Sequence, residues 1–155
     1  MAQATYRVEL RNLPLRHAAV VKFTARVEEM SSKMPDAFGR VTASLSERGI
    51  QTEGPAVARY LRQGEAFEVE AGFYVTQHVE EDDGVRCIEL PAGEVLATTH
   101  TGPYYTLPAA YAAVQANARE HHRELSESMW EEYWSDPSMP SSEWRTDVIW
   151  PLKAG

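Results

Sequence analysis

Residues recur along this chain at a fixed offset of 73 positions, and that recurrence constrains the fold more than any single motif does. Met34-Pro35 returns as Leu107-Pro108, Phe38 as Tyr111, Val41 as Val114 and Tyr60 as Tyr133. Four matches in one gapless register mark two copies of one unit. After a short insertion the copies stay aligned, with Phe67, Phe73 and Val75 answering to Trp144, Trp150 and Leu152. The period exceeds that of stacked solenoid repeats, which run to roughly 50 residues. The expectation is one compact pseudo-symmetric body with a cleft where the halves meet.

Each copy reads as strands flanking one helix. Alternation predicts strands over Thr5 to Leu13, Val20 to Val27, Ala56 to Leu61 and Phe67 to Val75, with turns at Leu15 to Ala18 and around Gly64. Met34, Phe38, Val41 and Leu45 form a helical stripe that Gly49 ends, and Pro35 suits its first turn. The run Glu80 to Asp83 joins the copies as a solvated loop. The second copy gives strands over Val85 to Leu90, Val95 to Thr101, Met129 to Ser135 and Trp144 to Leu152. Its helix spans Pro108 to Glu124, and a Pro- and Ser-rich loop covers Asp136 to Ser142. Parallel pairing would need a crossover helix between every pair, so the fold class is α+β: an antiparallel sheet with helices on one face. A chain of 155 residues makes this a single domain, with module one over about 4–77 and module two over about 85–152.

Composition narrows the functions. A net charge of -8 with no basic cluster disfavours nucleic acid and suits cationic ligands or basic partners. The lone Cys87 excludes an internal disulfide and suits a reducing compartment. No apolar run reaches the roughly 18 residues of a membrane span, and Met1 to Pro14 lacks a signal-peptide core, so the expectation is a cytoplasmic protein. His121-His122 has no ligand partner at helical spacing, and phosphate-loop, dinucleotide and nucleophile-elbow patterns do not occur. Neither a metal nor a cofactor is expected.

Met129-Trp130-Glu131-Glu132-Tyr133-Trp134 sets two carboxylates among three large aromatics. Strand alternation puts Glu131 and Tyr133 on one face, and Trp130, Glu132 and Trp134 on the other. A carboxylate beside aromatic walls can neutralise a cation while the rings hold its body. Gly102-Pro103 makes a corner that projects Tyr104 and Tyr105 before the second helix. His100 has no nucleophile beside it in sequence and reads as a structural histidine.

Phe67 to Phe73, Leu90 to Gly93, His100 to Tyr104, Trp130 to Pro137, and Trp144 to Leu152 together resemble the GyrI-like small-molecule-binding domain, the effector-binding domain of AraC-type and multidrug-responsive regulators. The resemblance implies two strand-helix-strand-strand modules about a pseudo-two-fold axis with ligand between them. It implies that Glu131 faces the ligand and that Tyr104 is the pocket tyrosine. Tyr133, Tyr105, Phe73 and Trp144 complete the expected ligand set. Arg26 to Met30 stands where a second Gly-Pro-Tyr corner is expected, so the two halves should be chemically unequal. The implied function is a stand-alone binding protein for small amphipathic, cationic organic molecules, with direct DNA contact unexpected because the first strand begins near Met1. Two alternatives stay open. One is a hydrolase of cyclopropane-bearing genotoxic compounds using Glu131 and Tyr104. The other is a protein partner, by analogy with gyrase inhibitors.

Overall fold

A computed structural model describes residues 6–62, 66–136 and 138–153. Thr5, the turn expected around Gly64, and Pro137 within the expected loop lie outside the described residues. The strands are β1 (Glu9–Leu13), β2 (Arg16–Ala25), β3 (Thr52–Arg62), β4 (Phe67–Val75), β5 (Val85–Leu90), β6 (Gly93–Thr101), β7 (Met129–Tyr133) and β8 (Arg145–Pro151). Helix α1 spans Met30–Glu47 and α2 spans Pro108–Glu120. The ladders β1–β6, β2–β4, β2–β5, β3–β4, β6–β8 and β7–β8 are antiparallel, as the α+β reading requires.

The chain forms two compact units. One orders its strands β3-β4-β2-β5 and carries α1; the other orders them β1-β6-β8-β7 and carries α2. The units therefore differ from the copies of the repeat by exchange of one strand: β1 pairs with β6, and β5 pairs with β2. Composition could not reveal this, because either partner satisfies the same alternating strand.

In the α1 unit, Ala37, Val41 and Leu45 are buried, and Phe38 packs on Phe73 of β4 with ring centroids 5.7 Å apart. The sheet needs glycine at position 72, where a Cβ would come within 1.8 Å of the Ala19 carbonyl oxygen. A second buried carboxylate, Glu70, is met by guanidinium groups: Arg59 Nη2 lies 2.6 Å from Oε1, and Arg86 Nη2 lies 2.6 Å from Oε2.

Helix α1 starts five residues earlier than Pro35 suggests. The missing N–H of Pro35 leaves the Ser31 carbonyl without its helical donor. Both residues are exposed, where a carbonyl without a helical donor is least costly. Other boundaries move as well: β1 starts at Glu9, β2 ends at Ala25, β3 starts at Thr52 and β7 ends at Tyr133. Residues 16–18 of the expected turn belong to β2, because all three pair with β5 and His17 and Ala18 pair with β4 as well. Helix α2 ends at Glu120 rather than Glu124 because His122 takes a left-handed conformation, φ 54°.

That termination repeats the end of α1. Gly49 has φ 67°, its N–H bonds Ser46 O at 3.2 Å, and Ile50 N–H bonds Leu45 O at 2.9 Å. His122 and Arg123 make the equivalent bonds to Arg119 O and Ala118 O at 3.2 and 2.8 Å. Both helices end in a Schellman motif, 73 residues apart.

Candidate functional site

In the α2 unit the face of β7 carrying Glu131 and Tyr133 turns toward α2. Glu131 sits opposite Val148, and Tyr133 sits opposite Thr146. The Glu131 carboxylate is fully buried, 0% exposed. Tyr133 Oη donates to its Oε1 at 2.7 Å, and Tyr111 Oη, from α2, donates to its Oε2. Each carboxylate oxygen thus accepts from a phenol, a neutral donor that solvates charge without cancelling it. Tyr111 in turn sets its ring against the edge of Trp150, centroids 6.5 Å apart.

The corner before α2 supplies the next ring. Gly102, at φ 133°, donates its N–H to Trp144 O at 2.8 Å, which ties the corner to the start of β8. Residues Tyr104–Thr106 form one 3-10 turn. His100, 2% exposed, secures it from below. Thr106 Oγ1 donates to Pro103 O at 2.6 Å, so it accepts from His100 Nε2 at 2.8 Å. By the same network His100 Nδ1 accepts from Tyr6 Oη at 2.8 Å. The histidine is structurally satisfied, as expected from its sequence neighbours.

So held, the Tyr104 ring lies 4.9 Å from Trp144, tilted 32°, and 5.7 Å from Tyr133, nearly edge-on at 70°. Trp144 is anchored by its Nε1–H to Met139 O at 2.9 Å. Burial, and after it the negative charge of Glu131, hold the Tyr104 phenol above its ordinary 10.0.

Of the residues expected at the site, Glu131, Tyr133, Tyr104 and Trp144 form one cluster. Tyr105 points to solvent, 83% exposed. Phe73 belongs to the other compact unit and packs on Phe38 there. Tyr111 and Trp150 join the cluster without having been anticipated as site residues. The signal was in the repeat: Phe38 and Ala58 of the first copy become Tyr111 and Glu131 of the second, and these two changes create one hydrogen bond.

The opposite face of β7 holds Trp130, 3% exposed, and Glu132, which sits across from Asp147 of β8. Arg145 grips Asp147 through Nε at 3.1 Å and Nη2 at 2.9 Å, and these bonds hold its guanidinium above the usual arginine range. Trp134 lies beyond the end of β7, its ring 5.0 Å from the Arg145 guanidinium carbon. No helix among the described residues is long and apolar enough to cross a membrane.

The cluster thus sets one fully buried carboxylate on two phenol donors, beside the rings of Tyr104 and Trp144. The chain belongs to the GyrI-like small-molecule-binding domains, whose family model matches residues 6–153. It therefore binds a small molecule. No curated protein matches it in sequence. Among solved structures it is similar to the EcmrR C-terminal domain, with TM-score 0.83 and 19% identity over 97% of this chain and 99% of that one. It also resembles a hydrolase from Listeria innocua, with TM-score 0.68 and 13% identity over 95% of this chain and 92% of that one. A third is SAV2435 bound to tetraphenylphosphonium, with TM-score 0.65 and 10% identity over 95% and 94% of the two chains. At these identities the likeness is one of fold.

Proposed function

We propose that this chain binds small, amphipathic organic cations at the cluster centred on Glu131. The observation that carries the reading is the fully buried Glu131 carboxylate, fixed by the hydroxyls of Tyr111 and Tyr133 and flanked by the rings of Tyr104 and Trp144. A cation brought against these rings gains from their faces and from the nearby carboxylate in a setting where water screens little. Its apolar body gains by burial against the same rings. SAV2435, a structural neighbour, carries tetraphenylphosphonium, a cation of this chemistry. A net charge of -8 favours cations and disfavours direct DNA contact.

A second reading rests on the neighbour described as a hydrolase and on Tyr104 standing beside Glu131. Glu131 would then activate water, with Tyr104 as proton donor, while the rings hold the substrate. One experiment separates the two: tryptophan fluorescence titration with lipophilic cations and neutral analogues of matched size, followed by mass analysis of each compound. Saturable quenching that prefers cations, with every compound recovered unchanged, supports the binding protein. Multiple turnovers of any compound would make Glu131 and Tyr104 catalytic, and absence of saturable binding would overturn both readings.

A further inference from the structure

Among the described residues, four buried side-chain polar atoms have no hydrogen-bond partner: His17 Nδ1, Arg86 Nε, Trp130 Nε1 and Thr146 Oγ1. The first two belong to the α1 unit, and Trp130 lies on the face of β7 turned away from Glu131. Thr146 alone shares the face of the site. It sits directly opposite Tyr133 on β7 and directly opposite His100 on β6, and it is 0% exposed.

Its neighbours do not need its hydroxyl. His100 is bonded at both ring nitrogens, by Tyr6 and Thr106, and Tyr133 spends its proton on Glu131. An unpaired buried hydroxyl is a standing cost to the fold. Valine would fill the same strand position with the same branching and none of that cost.

We infer that the Thr146 hydroxyl is a specificity-determining contact for the ligand, selecting organic cations that carry a hydrogen-bonding group beside the charged centre. The inference rests on the proposed cation site. Thr146 is the diagonal cross-strand neighbour of Glu131, at a separation of about 7 Å. The polar group of the ligand therefore lies within one aromatic ring of its charge. Access comes through Tyr104, whose half-exposed ring rests on Tyr133 and Trp144, the neighbour of Thr146 across the ladder and the residue two before it. A ligand group that takes the place of that ring meets the hydroxyl. Binding then supplies the partner the free protein lacks, so the contact rewards the right ligand and leaves an apolar one unfavoured.

The test compares two probes, tetraphenylphosphonium and its (4-hydroxymethylphenyl)triphenylphosphonium analogue, on wild type, Thr146→Val and Thr146→Ser. The wild type should prefer the hydroxymethyl compound, and Thr146→Val should erase roughly fivefold of that preference, the worth of one ordinary hydrogen bond. Affinity for tetraphenylphosphonium should stay unchanged, and Thr146→Ser should retain the preference. Thr146→Val should also melt no lower than wild type, since it removes an unpaired group. Equal effects on both probes, or a lower melting temperature in Thr146→Val, would overturn this assignment while leaving the cation site standing. Failure of the wild type to bind either probe would overturn both.

Discussion

Replacing Tyr133 by phenylalanine isolates the tie that fixes the buried carboxylate. The substitution keeps the ring, so its contact with Tyr104 persists, and it deletes only the hydroxyl that reaches Glu131 Oε1 at 2.7 Å. That oxygen belongs to a carboxylate with no solvent exposure, so water does not replace the lost donor. Hydrogen bonds to charged groups contribute about 1.5–3 kcal/mol. Near the middle of that range, the melting temperature of a chain this size should fall by roughly 4–8 °C. Urea denaturation followed by circular dichroism at neutral pH gives the free energy directly. Tyr104→Phe is the control: the residue is half exposed and no hydrogen bond of its hydroxyl to Glu131 is seen, so the loss should cost less than about 0.5 kcal/mol. In a Glu131→Gln background the amide oxygen is a neutral acceptor, and Tyr133→Phe should cost only about 1 kcal/mol. If Tyr133→Phe matched Tyr104→Phe, or cost as much with Gln at position 131 as with Glu, the carboxylate would not be held by this phenol.

His122→Gly should stabilise the protein by about 1 kcal/mol, because a side chain in the left-handed region is strained and glycine ends the equivalent helix at position 49; thermal melting checks it. Glu70→Ala should cost about 3 kcal/mol, the lower end for breaking a buried ion pair, since Arg86 is 42% exposed and can turn to water; urea denaturation reads the loss. Tyr104 titrates above 10.0 when folded, so its contribution to stability is fully present below pH 10 and is lost as pH rises through the folded value. Urea midpoints between pH 8 and 11 should therefore fall less steeply in Tyr104→Phe than in wild type, while Tyr6, also raised by burial, keeps the same sign of slope in both.

The sequence carried the helices because each presents one apolar stripe at helical spacing, and it carried the end of α1 because Gly49 announces a left-handed residue; the end of α2 was hidden because His122, which takes the same conformation, is not a residue type that signals it. The exchange of β1 and β5 was illegible: alternation states which face a strand buries, but not which neighbour it pairs with. Glu131 and Tyr133 were legible together because residues two apart on a strand share a face. Tyr111 was hidden inside a helical stripe, where its ring reads as core and only its hydroxyl serves the site. Phe73 stood in the expected ligand set, and its ring packs on Phe38 in the α1 unit. Thr146 escaped notice for the opposite reason, since a threonine in a strand is ordinary until its hydroxyl proves to be unpaired.

The central claim is that the charge on Glu131 recognises a cation. Glu131→Gln keeps the size of the side chain, and the phenols can still bond it, because a hydroxyl both donates and accepts. Isothermal titration of tetraphenylphosphonium into wild type and Glu131→Gln at equal ionic strength should show affinity falling tenfold or more, at least about 1.4 kcal/mol, while a neutral analogue of the same size binds both proteins alike. Superimposable tetraphenylphosphonium isotherms for the two proteins would contradict the account.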